Sequence, residues 1–350
     1  MNKKKLLALT LSSLFLCSCG STEYAATPSG KKMTNEEGKA KMQAAMQVSD
    51  TQVATDNGKI KVGIEDGYLK ANANTSTNAS TYTSQSTIDI DISKIKLLLS
   101  AEGINSEDAK DYYSHMEFSF HGGMKASSNV AGINQSREIE TKNYDFDVYQ
   151  DYQCMYFDFS STDSLNLVKA LLPSLDLNNG KLKVNTSKYN VDENGTLNQT
   201  TPSDNINFKF ENLVETSEDG VYLDLGNGNY AFTYSMDKDT LTAKLNASYT
   251  TSNVNYTLSD ETVVKYTVLF SETGGLTSIG FDVKLNGSFT DGYTGTDSSS
   301  SASILNYSNS ADFTISAGTK LTFDTSSSIT VDKVTDTSEY KYLYENDKIN

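Results

Sequence analysis

Apolar and polar residues alternate with a period of two along most of this chain, and that pattern constrains its fold more than any other feature. In STIDIDIS, Ile88, Ile90 and Ile92 face one way while Asp89 and Asp91 face the other. HMEFSFH repeats the pattern with Met116, Phe118 and Phe120, and NYDFDVY with Tyr144, Phe146 and Val148. IGFDVKL does the same with Ile279, Phe281, Val283 and Leu285. Successive side chains of a strand point to opposite faces, so each run makes one apolar and one solvated face, as an antiparallel sheet with a wet side requires. Turn residues punctuate these runs at Asn194-Gly195, Gly226-Asn227-Gly228, Thr273-Gly274-Gly275 and Asn286-Gly287. The clearest hairpin is KYTVLFSETGGLTSIGFDVKLNGSF, residues 265–289.

Three segments break the alternation. In MTNEEGKAKMQAAMQVSD, Thr34 can cap a helix, Glu37 sits three residues later, and Met42, Ala45 and Met46 fall on one stripe. The spacing predicts a helix over about 35–48 in spite of Gly38. STDSLNLVKALLPSL offers Ser161, Thr162 and Asp163 as caps and an apolar stripe of Leu165, Val168, Leu171 and Leu172, with Pro173 as the stop. A short apolar helix among strands covers a sheet face that would otherwise be wet. LSAEGINSEDAKDYYSHM reads as a weaker helix. Segments 72–86 and 291–303, rich in Ser, Thr, Asn and Gly, read as loops, and SEYKYLYENDKIN as a polar tail with some helical tendency.

The N-terminus sets the compartment. Lys3, Lys4 and Lys5 precede an apolar run from Leu6 to Leu16, too short for the roughly 20 residues a bilayer span needs. A basic head, a short apolar core and small residues at the cut make a secretory signal. Leu16-Cys17-Ser18-Cys19 resembles a bacterial lipobox, with Leu at minus three and Ser at minus one. That resemblance implies a signal peptide over 1–18, diacylglycerol on the Cys19 sulfur, and a location on the outer side of the cell membrane. Two or more acyl chains supply a stable anchor where a single chain does not. Residues 19–33 then read as a flexible tether, 34–340 as the domain and 341–350 as the tail. At 350 residues the chain is long enough for a substantial core. Cleavage before Cys19 would leave Cys154 as the one body cysteine, so packing rather than an internal disulfide must hold the fold. The segment YQCMYFDF lacks the basic neighbours that activate a thiol, so Cys154 reads as a buried apolar residue.

Charge excludes some partners. Against 45 acidic residues the chain sets 29 basic ones, of which Lys3, Lys4 and Lys5 fall in the signal. Such a surface repels nucleic acid, and Arg137 is the lone arginine available for a bidentate phosphate clamp. His115 and His121 share a strand face but lie roughly 20 Å apart at about 3.3 Å per residue, so they cannot ligate one metal between them. NVDENGTLNQTT places Asn190, Asp192, Asn194 and Gly195 as in a calcium loop. Thr201 stands where the bidentate Glu belongs, so a hairpin turn at Asn194-Gly195 is the better reading. Gly226-x-Gly228-x-x-Ala231 is followed by Tyr230, Phe232, Tyr234 and Met236 at strand spacing, whereas a phosphate loop must open a helix. Ser203-Asp204-Asn205 and Ser235-Met236-Asp237-Lys238 match two penicillin-recognising motifs in reversed order, with no Lys-Thr-Gly. The same-face aspartate pairs 89/91 and 145/147 read as solvated sheet surface. These observations point away from an enzyme, with no cofactor and no metal.

The anchor, tether, capped helix, long meander and leucine helix together resemble the lipoprotein carrier and mycobacterial cell-wall lipoprotein group. Residues 265–285 are the stretch most similar to its strands. The resemblance implies a mainly β, α+β fold: a large curled antiparallel sheet, a half-barrel lidded by short helices. It also implies a non-catalytic protein whose cavity takes a lipid or other apolar ligand. The group has no short motif from which ligand residues could be carried over. The apolar faces nominate Phe118, Phe120 and Val168 as ligand-facing. The alternative is a surface adhesin or structural β-sandwich module with a filled core. Strand order and oligomeric state do not follow from the pattern.

Overall fold

The computed structural model describes residues 23–55, 58–79, 82–104, 106, 108–173, 177, 179–186, 190–191, 197–198, 210, 214, 219–248, 255–293 and 307–343. Its first half contains β1 (Lys31–Lys32), α1 (Asn35–Thr55), β2 (Ile60–Ala79), β3 (Thr83–Glu102), β4 (Tyr113–Val130), β5 (Ile133–Gln150), β6 (Cys154–Asp158), α2 (Thr162–Leu171) and β7 (Lys181–Asn185). Then come β8 (Asn190–Val191), β9 (Leu197–Asn198), β10 (Val221–Gly226), β11 (Asn229–Asp237), α3 (Lys238–Ser248), β12 (Asn255–Leu258), β13 (Val263–Ser271), β14 (Gly275–Tyr293), β15 (Tyr307–Asp324) and β16 (Lys341–Tyr342).

Fourteen of these strands form one curled, unclosed sheet, so the fold is mainly β with few helices. The order is β1-β10-β11-β13-β14-β15-β2-β3-β4-β5-β6-β7-β16, with β12 continuing the edge of β14 beyond β13. Two meanders, β2–β7 and β10–β15, are joined by the β15–β2 pair, which brings Leu321 opposite Ile64 and Ala317 opposite Leu69. Every pairing in the sheet is antiparallel except β16 on β7. An open sheet leaves edges that can template aggregation. Here both ends are two-residue strands carrying lysines, Lys31–Lys32 and Lys341.

The two faces have different covers. The apolar face carries the core: Val62, Ile64, Leu97, Leu99, Phe232, Val268, Ile279 and Leu321 pack beneath α1. Met42, Ala45, Met46, Ser49 and Val53 form the buried stripe of that helix. Gly38 belongs to the same stripe, and a Cβ there would lie 2.1 Å from the Tyr222 ring, so glycine lets the helix sit on the sheet. Thr34 accepts from the Glu37 N–H at 3.2 Å, as the capping pattern requires. The helix runs seven residues past the predicted end because Ser49 Oγ accepts from buried Leu276 N at 2.8 Å and Val53 is buried beyond it. At the other end of this face, α2 starts at the Ser161 cap and buries Val168 with Leu177 and Leu182.

The polar face is crossed by two segments, one at Tyr24 and Ala25 and one at 325–340. The segment expected to be a free tether is docked from Tyr24 onward. Ala25 is 1% exposed, its N–H donates to Asp282 Oδ2 at 2.6 Å and its carbonyl accepts from Thr267 Oγ1 at 3.0 Å. Tyr24 packs on Tyr68, and its hydroxyl is pushed up to about 12, first by burial and then by Asp66. Residues 325–340 cross strands β2 to β7 as a strap. Tyr340 closes a cluster with Cys154 and Tyr156, so the cysteine is buried as expected.

Several expected elements differ. Within segment 72–86, residues 72–79 and 83–86 are the facing ends of β2 and β3 rather than a loop, because they pair with β15 and β4 in continuous register. Of the second loop, residues 291–293 extend β14. The weaker helix in 99–116 is reduced to one turn at Ala109–Asp111, since Leu99 and Ala101 are buried in β3. Asn286-Gly287 lies inside β14, where a Cβ on Gly287 would sit 2.3 Å from Thr257 O of β12. The tail begins as β16, with Leu343 packed beside Leu182. α3 was not anticipated; Asp237 ends β11 and accepts from Thr240 N at 2.9 Å, opening the helix.

Candidate ligand-binding face

Register decides which apolar side chains share a row. Across the middle of the sheet, Leu285, Ile315, Ala71, Ile90, Met124 and Ile139 are successive partners on β14, β15, β2, β3, β4 and β5. The next row is Gly287, Phe313, Ala73, Ile88 and Ala126. Nearer the helices comes Val283, Ala317, Leu69, Ile92 and Gly122.

In sequence the run Ile88-Ile90-Ile92 is out of phase with Ile95-Leu97-Leu99. A bulge between Ile92 and Lys94 restores the phase and keeps both runs on the apolar face. β2 bulges between Ile64 and Gly67, and the β4–β5 pair between Gly122 and Met124. Bulges bend and twist a sheet locally, and these three lie side by side on adjacent strands. Glycine is required at this line, because a Cβ on Gly122 would fall 2.4 Å from Asp91 O.

Phe118 and Phe120 lie on the helix side of this bulge line, half-buried between α1 and α2. Their ring centroids are 5.8 Å apart. Phe118 stacks on Phe146 at 5.8 Å, and Phe120 meets Tyr144 at 4.8 Å. Val168 belongs to the cluster under α2 that includes Phe146, so all three nominated residues join one chain of contacts. Val168 itself is 8% exposed and packs there with Leu177 and Leu182. An open groove of about 900 Å³ touches Phe118 and Phe146, but Lys61, Lys94, Lys96, Glu117 and Asp145 also line it.

Gly226, Asn227 and Gly228 all have positive φ and form the β10–β11 hairpin, which removes the phosphate-loop reading. Lys238 pairs with Asp260, and Ser235 lies opposite Lys265 within the sheet. Asp91 pairs with Lys70 at 3.6 Å on the polar face. Asp147, from the second aspartate pair, holds His115 Nε2 at 2.9 Å, while His121 meets Asn143. Cys19, residues 1–18, Ser203-Asp204-Asn205 and most of the calcium-like loop lie outside the described residues. Sequence reasoning quoted Ile90 and Leu285 only as strand residues. Their signal was the alternation itself, but row membership depends on strand order.

No family model matches the sequence, and no curated protein matches it. Among solved structures, the crystal structure of Pseudomonas aeruginosa OccK7 (OpdD) is similar at 8% identity and a TM-score of 0.16. That alignment covers 67% of this chain and 58% of the other, and a likeness at that level carries no argument about fold or function. Among the described residues, no helix is long and apolar enough to cross a membrane.

Proposed function

We propose that this protein is a non-catalytic surface lipoprotein, anchored through Cys19, that binds a lipid or another apolar ligand on the apolar face of its sheet. The observation that carries this reading is the row Leu285, Ile315, Ala71, Ile90, Met124 and Ile139. It is in register across six strands, beyond the reach of α1 and α2, and no residue in it is fully buried. The neighbouring Ile88 is 42% exposed. Contiguous exposed apolar surface on a soluble domain marks a site of interaction. Six strands at about 4.8 Å spacing span about 24 Å, enough to lay out an acyl chain that fills one leaflet of about 15 Å. The half-buried rings of Phe118 and Phe120 border the same face.

The test is native mass spectrometry of the full-length protein, with Ile90→Lys as the variant. A co-purified acyl or phospholipid adduct that denaturation releases, and that Ile90→Lys loses, supports the reading. An unchanged apo mass after incubation with mixed lipids overturns it. The adhesin or structural reading would then lead, and the fully buried Phe232, Val268 and Ile279 of the filled core favour it.

A further inference from the structure

On the polar face, the C-terminal strap brings a third carboxylate to a histidine that already has two beside it. His115 and Glu117 stand two residues apart on β4, and β5 sets Tyr149 opposite His115 and Asp147 opposite Glu117. Asp332 comes from the strap, more than 200 residues away in sequence. The His115 side chain is 7% exposed and stacks on Tyr149, with centroids 4.3 Å apart and planes 6° from parallel. Its Nε2 lies 2.9 Å from Asp147 Oδ1. An ionised carboxylate only accepts, so Nε2 carries the proton and the Nδ1 lone pair is free in the neutral ring. Nδ1 points between two further carboxylates, 3.7 Å from Asp332 Oδ2 and 4.0 Å from Glu117 Oε1, too far for a hydrogen bond to either. The three ligand atoms lie within 4.8 Å of one another.

A lone pair aimed at two anions is electrostatically unfavourable unless a cation stands among them. We propose that His115 Nδ1, Glu117 and Asp332 bind a divalent first-row metal ion, with Asp147 as the outer partner that orients the imidazole. Two ligands at about 2.1 Å from a tetrahedral ion are separated by about 3.4 Å. Closure therefore asks the pairwise separations, 3.7 and 4.0 Å to the imidazole and up to 4.8 Å overall, to shorten by about 0.3 to 1.4 Å, within reach of Asp332 and Glu117, whose side chains are 73% and 56% exposed. A ligating histidine that donates its other N–H to a carboxylate is the usual outer-shell arrangement. One imidazole among two carboxylates suits Zn²⁺ or Mn²⁺ rather than Ca²⁺ or Mg²⁺, which prefer all-oxygen sites. Since Asp332 belongs to the strap and the other ligands to the sheet, the ion would clip residues 325–340 onto β4.

The experiment is calorimetric titration of Zn²⁺ into tag-free, chelator-stripped full-length protein with excess Ca²⁺ present. The site predicts one saturable equivalent. Asp147→Asn should weaken it about 10- to 100-fold, as removal of an outer partner does, and Asp332→Asn at least as much. His115→Gln should abolish it, and because that ring is buried, the exposed Asp332→Asn and Glu117→Gln variants keep the test decisive if it misfolds. Limited proteolysis within 325–340 should slow on Zn²⁺ addition in the parent protein only. No saturable site, displacement by Ca²⁺, or unchanged affinity in Asp332→Asn and Glu117→Gln would each overturn the proposal. The cluster would then be a side-chain contact between the strap and β4 without an ion.

Discussion

The two halves of the long strands share one hydrogen-bonded ladder and differ in almost everything else. On the helix side of the bulge line, residues 60–64 of β2, 95–101 of β3 and 317–323 of β15 bury alternate side chains on the face under α1, and Ser100 and Gly318 between them are buried on the polar face. Beyond it, residues 70–79, 83–92, 124–130 and 133–143 contain no fully buried residue, although pairing continues in register. Backbone pairing alone therefore sustains strand geometry across both halves, while the stabilising burial is concentrated in one. A hydrogen bond contributes about 1 kcal/mol net because water competes for it, whereas a fully buried large side chain contributes about 1.5–3 kcal/mol. Among the described residues the apolar row of the free half lies clear of α1 and α2, although Ala311 of β15 and Leu258 of β12 are buried beside it.

This contrast can be broken most directly by equivalent truncations on each side. Phe232→Ala, at 0% exposure, should cost about 3–5 kcal/mol, while Ile88→Ala, at 42% exposure, should cost less than about 1 kcal/mol. Urea midpoints of the two variants measure the difference, and equal shifts would mean that the free half is packed in solution. Ser49→Ala should come next. It strands the buried Leu276 N–H, a loss of about 1–3 kcal/mol, and thermal unfolding should show it without a change in strand content. Gly38→Ala sharpens the role of the α1 contact. The helix gains about 0.5–1 kcal/mol from losing a glycine, but the Tyr222 overlap costs about 1–3 kcal/mol, so the net effect should be destabilising. A more stable variant would show that α1 sits further from the sheet. Smallest of all, Asp91→Asn removes the exposed pairing with Lys70 in the free half and should change stability by less than about 0.5 kcal/mol, with any effect vanishing in high salt.

Much of the fold was legible because alternation has a physical cause that acts locally. Ile88, Phe118, Phe146 and Ile279 all lie on the face their spacing assigned, and Thr34, Ser161 and Pro173 mark helix boundaries through backbone groups a few residues away. Loops misread from composition, at 72–86 above all, failed for a reason equally physical. Ser, Thr and Asn are tolerated in a strand when both faces are wet, and the propensity signal is then silent.

The sequence by itself determined the strand class, the apolar and polar faces, and two of the three helices, because each depends on neighbours within one turn or one hairpin. Only the tertiary structure decided that β15 would meet β2, that Leu285 and Ile139 would end the same row, and that residues 24–33 would dock rather than hang free. It also decided that Val168 would meet Leu182 and that Asp332 would reach His115. Each of these joins residues far apart in the chain. Period-two spacing says which way a side chain points, but the strand that arrives beside it is selected by the packing of the whole sheet.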